Sequence, residues 1–291
     1  MEMQNYIIVT DNMVDLPDDY CEEHHLERMF LSYVMDGETF DGTHRQDEAE
    51  FYQKMRNGSM PVTSQITPGI AAENLRTFLR RSKNIFCIAF SSGLSGTYNS
   101  ICIAAKEVME EDPECRIVVC DSLAASLGQG LLVHKALMMQ EKGASFEEVI
   151  RWTEENKLNL VHNFTVDNLF HLYRGGRVSR AAAILGSMAK IKPLLHVDNE
   201  GHLIPVGKVA GRKRSIRAMA EAMEKQVGSR RTENDIVFIS HGDCLEDAQY
   251  LAGLIRERFG IDQFLINYVG PTIGTHSGPG TLALFYLGDY R

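Results

Sequence analysis

Apolar and polar positions follow two periods along the first half of the chain. Short apolar runs at residues 6–10, 85–90 and 116–120 end in polar turns and read as buried strands. Between them, apolar residues recur at three- and four-residue spacing over 70–81, 98–109, 126–142 and 145–156, which predicts helices, the last two divided at Gly143. Thr67-Pro68 is a helix entry with Pro in the first turn. Residues 30–34 and 36–40 predict a small hairpin turning at Asp36-Gly37, and 47–56 a short helix. This alternation predicts an α/β architecture, a mostly parallel doubly wound sheet with helices on both faces.

The pattern changes near residue 160. Residues 163–166 read as a strand, 167–173 as a helical turn, and Arg174-Gly175-Gly176-Arg177 opens an expected helix over 179–190. A hairpin turns at Asn199-Glu200-Gly201, and a basic helix covers 211–227. Strand 236–240, helix 245–259 and strand 264–269 precede a Gly/Pro-rich stretch at 270–281, for which no element is assigned. Hairpin plus β-α-β order predicts a second, α+β domain, so the division is 1–160 and 161–291. No internal repeat or low-complexity linker separates the two, and close packing follows.

Composition narrows the class. The chain has 291 residues, 44% hydrophobic and 24% charged, ordinary for a globular protein and ample for an internal pocket. No apolar run reaches the length of about 18 residues that a membrane span needs. The first five residues carry neither the basic nor the apolar region of a signal peptide, and the expected location is the cytoplasm. Six cysteines are scattered without a C-x-x-C pair, so neither metal nor disulfide is expected. Net charge is −9, yet residues 174–217 hold ten Lys/Arg against Asp198 and Glu200, a window of +8 on an otherwise acidic chain. Such an island suits an anionic ligand or an acidic partner surface, or is a solvated positive face. Nucleic-acid binding would rest on that window alone, with Tyr173 its sole interleaved aromatic, and is not expected.

The chemistry concentrates at Ser91-Ser92-Gly93-Leu94-Ser95-Gly96-Thr97, between an apolar strand and a helix. Helix N-terminal amides lack intrahelical partners and lie at the positive end of the helix dipole, a place for a carboxylate or phosphate. A Ser cap on a tight Gly turn explains the same residues equally well. Thr63 and Ser64 are hydroxyls left over in a loop bounded by Pro61 and Pro68. A serine hydrolase would use Ser95, His276 and Asp11 or Asp121, but G-x-S-x-G is absent. A phosphate cradle of the G-x-x-x-x-G-K-[ST] type lacks its Lys.

Asp11 with Asp15-Leu16-Pro17, Thr63-Ser64-Gln65, Leu94-Ser95-Gly96-Thr97-Tyr98, Arg174-Gly175-Gly176-Arg177 and His276-Ser277-Gly278-Pro279-Gly280-Thr281 stand in one order. Together they resemble the DegV family of bacterial fatty-acid-binding proteins across nearly the whole chain, with Asn12 and Ile66 as small departures. The resemblance implies a two-domain α/β carrier that holds a long-chain fatty acid in a tunnel between its domains, is not itself an enzyme and needs no cofactor. By motif, Thr63 and Ser95 would hold the carboxylate, with the Gly96 amide, Ser64 and His276 near the same head group. Some family members present the bound acid to an ATP-dependent kinase subunit that forms an acyl phosphate. Arg174 would then steady the phosphoryl group, and the island around Arg177, Arg212 and Lys213 would be the docking face. Transient membrane contact during loading fits the same picture.

Overall fold

The structure, a computed structural model, describes residues 5–179 and 190–291. The helix expected over 179–190 therefore lies almost wholly outside the described residues. Strands β1 (Ile7–Asp11), β2 (Glu27–Met29), β6 (Asn84–Ala89) and β7 (Arg116–Asp121) form an all-parallel sheet in the order β2-β1-β6-β7. Side chains alternate across a strand, and here both faces are apolar. Ile7, Val9, Ile85 and Cys87 pack against α3 (Pro68–Phe78) and α4 (Thr97–Glu111), whereas Ile8, Phe86 and Ile88 pack against α5 (Leu127–Glu141). This is the doubly wound arrangement that the alternating pattern predicts.

Strands β8 (Leu160–Thr165), β9 (Ile191–Val197), β10 (Leu203–Ala210), β11 (Ile236–His241), β12 (Gln263–Tyr268) and β13 (Leu282–Leu287) form a mixed sheet in the order β10-β9-β8-β13-β11-β12. Its outer face carries α8 (Arg212–Gln226) and α9 (Leu245–Phe259) over Val161, Val237, Ile239 and Leu284. Its inner face, through Phe164, Phe238 and Phe285, meets α5, so a single core runs through both sheets with α5 as the shared layer. That helix is apolar nearly all round, from Leu127 to Leu137, as a helix packed on two sides must be.

Three elements differ from expectation. β13 was not read as a strand, although it lies inside the mixed sheet between β8 and β11 and is buried throughout. The Gly/Pro-rich stretch, to which the sequence pattern assigns no element, contains α10 (Pro271–Ser277), with Pro271 in its first turn, where a missing N–H costs nothing. Thr63 and Ser64 belong to a short strand, β5 (Val62–Ser64), paired with β3 (Ser32–Met35), which also pairs with β4 (Glu38–Phe40). Asp36 and Gly37 both take positive φ in the expected turn between β3 and β4. Helix α2 (Glu48–Arg56) packs on this small sheet through Phe51, Tyr52 and Met55. Tyr52 donates to Val269 O at 2.7 Å and Arg56 pairs with Asp243, which ties the small sheet to the mixed one.

Candidate functional site

A cavity of about 570 Å³ lies where the C-terminal ends of the parallel strands face the inner side of the mixed sheet. Open α/β sheets place ligands beyond those strand ends. Most of the wall is apolar, including Met13, Phe90, Leu94, Phe164, Val197 and Phe285. One part is polar: Thr63, Gln65, Ser95, Arg174, Arg177 and His276 all face the cavity.

These polar residues come from four separate segments. β5 carries Thr63, whose Oγ1 lies 2.8 Å from Nε2 of His276 on α10. Burial and the nearby Arg177 and Arg174 charges lower the His276 pKa to about 4, so its ring is neutral near pH 7. Nδ1 of that ring is buried against Gly175 with no hydrogen-bond partner. An unpaired buried N–H is the costlier alternative, so we assign the proton to Nε2, donating to Thr63. The Thr63 hydroxyl hydrogen is then free to point into the cavity.

Helix α7 (Phe170–Arg174) ends at Arg174. Nη2 of that residue donates to Pro61 O at 2.9 Å and Thr275 O at 3.3 Å. Arg177 donates through Nε and Nη2 to Leu94 O at 3.1 and 3.0 Å, and through Nη1 to Gly175 O. Among the described residues neither guanidinium pairs with a carboxylate. Burial alone pushes the Arg177 pKa down from its usual value, the signature of a charge without a counterion. Ser95 Oγ donates to Thr97 Oγ1 at 3.0 Å and accepts Thr97 N at 3.2 Å, while Thr97 Oγ1 accepts Ile66 N at 3.3 Å. The polar wall is thus tied together across both sheets and the small hairpin.

Other expected site residues lie elsewhere. Ser64 is exposed and pairs in register with Ser32; it does not line the cavity. Gly96 lies against the Gln65 amide rather than on the cavity wall. Ser91 donates to Gly201 O at 2.9 Å, and Gly93 touches the backbone of Glu200 and Gly201. Ser91 and Gly93 therefore dock the β9–β10 hairpin rather than facing a ligand. Arg212 is spent on Asp247 at 2.7 Å and Cys244, and Lys213 lies over the Tyr250 ring. Lys192 likewise pairs with Asp167.

For the hydrolase arrangement, Ser95 and His276 hold other partners, Thr97 and Thr63. Asp11 accepts from Phe90 N and Met13 N, and Asp121 from Ser92 N and Leu123 N, so neither orients the imidazole. Gln65, the anchoring of Arg177 on Leu94 O and the close approach of Gly175 to His276 had no signal in spacing, because their partners are far apart in sequence.

The described residues contain no helix long and apolar enough to cross a membrane. A family model described as "Uncharacterised protein, DegV family" matches residues 5–289. The chain is 42% identical over 296 residues to a DegV domain-containing protein of Clostridium perfringens, covering 99% of each. It superposes with a TM-score of 0.84 on DegV of Bacillus subtilis, described as a fatty acid binding protein, at 29% identity over 98% of this chain and 100% of that one. A DegV family protein of Thermus thermophilus, whose structure is described by its fatty acid binding, gives a TM-score of 0.86 at 27% identity, over 98% and 99% of the two chains. With a family model spanning nearly every residue, this chain belongs to the DegV family.

Proposed function

We propose that this protein binds a long-chain fatty acid in the cavity between its sheets, with the carboxylate at the polar wall and the acyl chain along the apolar one. The observation that carries this reading is the wall itself. Two guanidiniums are anchored on backbone carbonyls without a carboxylate, beside a neutral His276 that leaves the Thr63 hydroxyl free. An anion would complete this arrangement, taking a charge-assisted bond, the stronger kind, from Thr63 and another from Ser95 once that hydroxyl turns from Thr97 Oγ1 to the ligand. Each buried CH₂ contributes about 0.8 kcal/mol, so a long chain supplies on the order of 10 kcal/mol before entropy losses. Relatives of solved structure described as fatty acid binding support the same ligand.

The finer part of the proposal makes the protein a non-catalytic carrier. A partner kinase would phosphorylate the bound acid: a carboxylate oxygen attacks the γ-phosphorus of ATP, the bond to the β-phosphate oxygen breaks, and ADP leaves an acyl phosphate. Arg174, beside the head group, would take the added negative charge. Lys213, which has no carboxylate partner among the described residues, would contact the kinase, and exposed Val62, Phe170 and Tyr173 suit a transient bilayer contact during loading. Charge reversal at Lys213 should spare lipid binding and slow acyl phosphate formation; equal loss of both would remove it from the docking face. The test of the core reading is native mass spectrometry followed by organic extraction. A mass excess that extracts as free fatty acid is expected. A protein that is empty and takes up no added fatty acid would overturn the reading.

A further inference from the structure

We propose that His162 and Arg291 form the closed end of the cavity and so set the longest acyl chain the protein accepts, with His162 against the terminal carbons and Arg291 as a positioning residue behind it. The inference rests on the fatty-acid reading above. Thr281, just before β13, and Ala283 and Phe285 on it all line the cavity, and across the ladder Ala283 opposes Phe164 and Phe285 opposes His162. At about 3.4 Å per residue, the His162–Phe285 row lies roughly 13 Å along the strand from Thr281, at the end of the short loop that follows α10 and its His276. Val197 and Leu203, paired across β9 and β10, also line the cavity.

This end is built without slack. His162 packs edge-on against Phe285 with ring centroids 5.2 Å apart. Its Nδ1 lies 3.3 Å from Leu160 O, which can only accept, and its Nε2 lies 3.3 Å from Ala125 N, which can only donate. The two partners fix one neutral tautomer and leave no polar atom of the ring to offer a ligand. The loop facing it, 123–126, is strained: Leu123 has φ 49° and Ser126 φ 54° with ψ −145°. Such conformations persist only where the surroundings over-determine them. Here Asp121 holds Leu123 N, Ser91 N holds Ala124 O, and Ser126 Oγ bonds Asp15 and Ser240.

Arg291 locks loop and sheet together. Its guanidinium donates to Leu123 O and Asp198 O at 2.8 Å each, to Leu160 O at 3.0 Å and to Lys157 O at 2.6 Å. Leu160 O is therefore shared by Arg291 and His162. One side chain thus fixes the strained loop, the start of β8 and the β9–β10 turn, the three pieces that surround the His162 ring.

The test is a chain-length series, binding saturated straight-chain fatty acids from dodecanoate to docosanoate to the unsubstituted protein, His162→Ala and Arg291→Ala, each first shown to unfold cooperatively on heating. Affinity of the unsubstituted protein should climb roughly fourfold per methylene and then stop at one length. In both variants the climb should continue past that length, with dodecanoate bound within about twofold of the unsubstituted protein. A purely structural role would weaken every length alike. That result, or a break at the same length in folded variants, overturns the proposal. Should Arg291→Ala not fold, Arg291→Lys, which cannot span four carbonyls, should move the break in the same direction. If the unsubstituted protein binds no member of the series, the fatty-acid reading itself fails.

Discussion

Gly175→Ala isolates the link between His276 and the head-group site. Gly175 has φ −75°, which any residue adopts, so the substitution introduces no backbone strain. A methyl there would overlap Nδ1 of His276 outright and lie 3.0 Å from its Cε1 and 3.1 Å from its Cγ. Carbon contacts settle at about 3.5–4.0 Å, so the ring must withdraw by roughly 1 Å once the overlap with Nδ1 is relieved. The 2.8 Å contact with Thr63 then lengthens beyond hydrogen-bonding range, and a buried Nε2–H is left unpaired. An unsatisfied buried donor costs about 1–3 kcal/mol. Thr63 also loses the donor that orients its own hydroxyl.

The expected result is a fatty acid affinity lowered by roughly 5- to 150-fold in a calorimetric titration. Neighbouring Gly176 is the control. It has φ +75° and open space around a Cβ, so Gly176→Ala should cost about 1 kcal/mol of stability and leave affinity unchanged. Equal affinity for Gly175→Ala and the unsubstituted protein would show that the imidazole position is irrelevant to binding. Equal losses from both glycines would point to loop damage instead.

Three further outcomes follow from the same geometry. Thr63→Ala combined with Ser95→Ala should weaken fatty acid binding at least about tenfold, since bonds to a charged group are worth about 1.5–3 kcal/mol each, while the far-ultraviolet dichroism stays unchanged. His276 binds a proton below about pH 6.5 when unfolded but only below about pH 4 when folded, so stability is full above that range and lost as pH falls through it. His276→Gln should therefore flatten the decline of unfolding free energy between those values, by up to about 3 kcal/mol, read as a shallower fall of the thermal midpoint; an unchanged slope would refute the burial argument. Asp15 shows the opposite sign: burial raises its carboxyl to about 8 from 3.8, so its contribution is full below pH 3.8 and lost as pH rises toward 8. Asp15→Asn should raise the thermal midpoint more at pH near 8 than at pH near 5, and a uniform shift would refute the assignment.

How much of this was legible in the sequence depended on whether a signal was local. The parallel sheet was readable because each strand is a short apolar run and each helix carries its own period. β13 was not, although Leu282–Leu287 is continuously apolar, because a Gly/Pro-rich stretch before it masked the entry and nothing local marks a strand buried on both faces. Helix α10 was hidden by the same glycines and prolines. At the site, the motif order supplied Thr63, Ser95 and His276 through the family resemblance, but their relation is tertiary. Thr63 and His276 are 213 residues apart, and Arg174 reaches Pro61 across 113. The +8 window overstates the local charge for a physical reason: counting along the chain ignores partners, and Asp247 and Asp167 lie close in space to Arg212 and Lys192.

The division of labour among the arginines follows from those partners. Arg212 and Lys192 have carboxylates, so their charge is neutralised locally. Arg174 and Arg177 have only carbonyl dipoles, which hold a guanidinium in place without cancelling its charge. Arg291 is likewise anchored on carbonyls, and burial lowers its pKa to about 10, but its fork is filled by four of them and faces backbone rather than the polar wall. The cavity thus has one end where positive charge stands unneutralised beside hydroxyl donors, and another where the donors are already spent and His162 offers only a neutral ring. Desolvating a carboxylate at the second end would cost several kcal/mol, since the Arg291 donors there are already filled by carbonyls, whereas at the first it meets two guanidiniums beside the Thr63 hydroxyl. That asymmetry orients an amphipathic anion before any contact with its chain is counted.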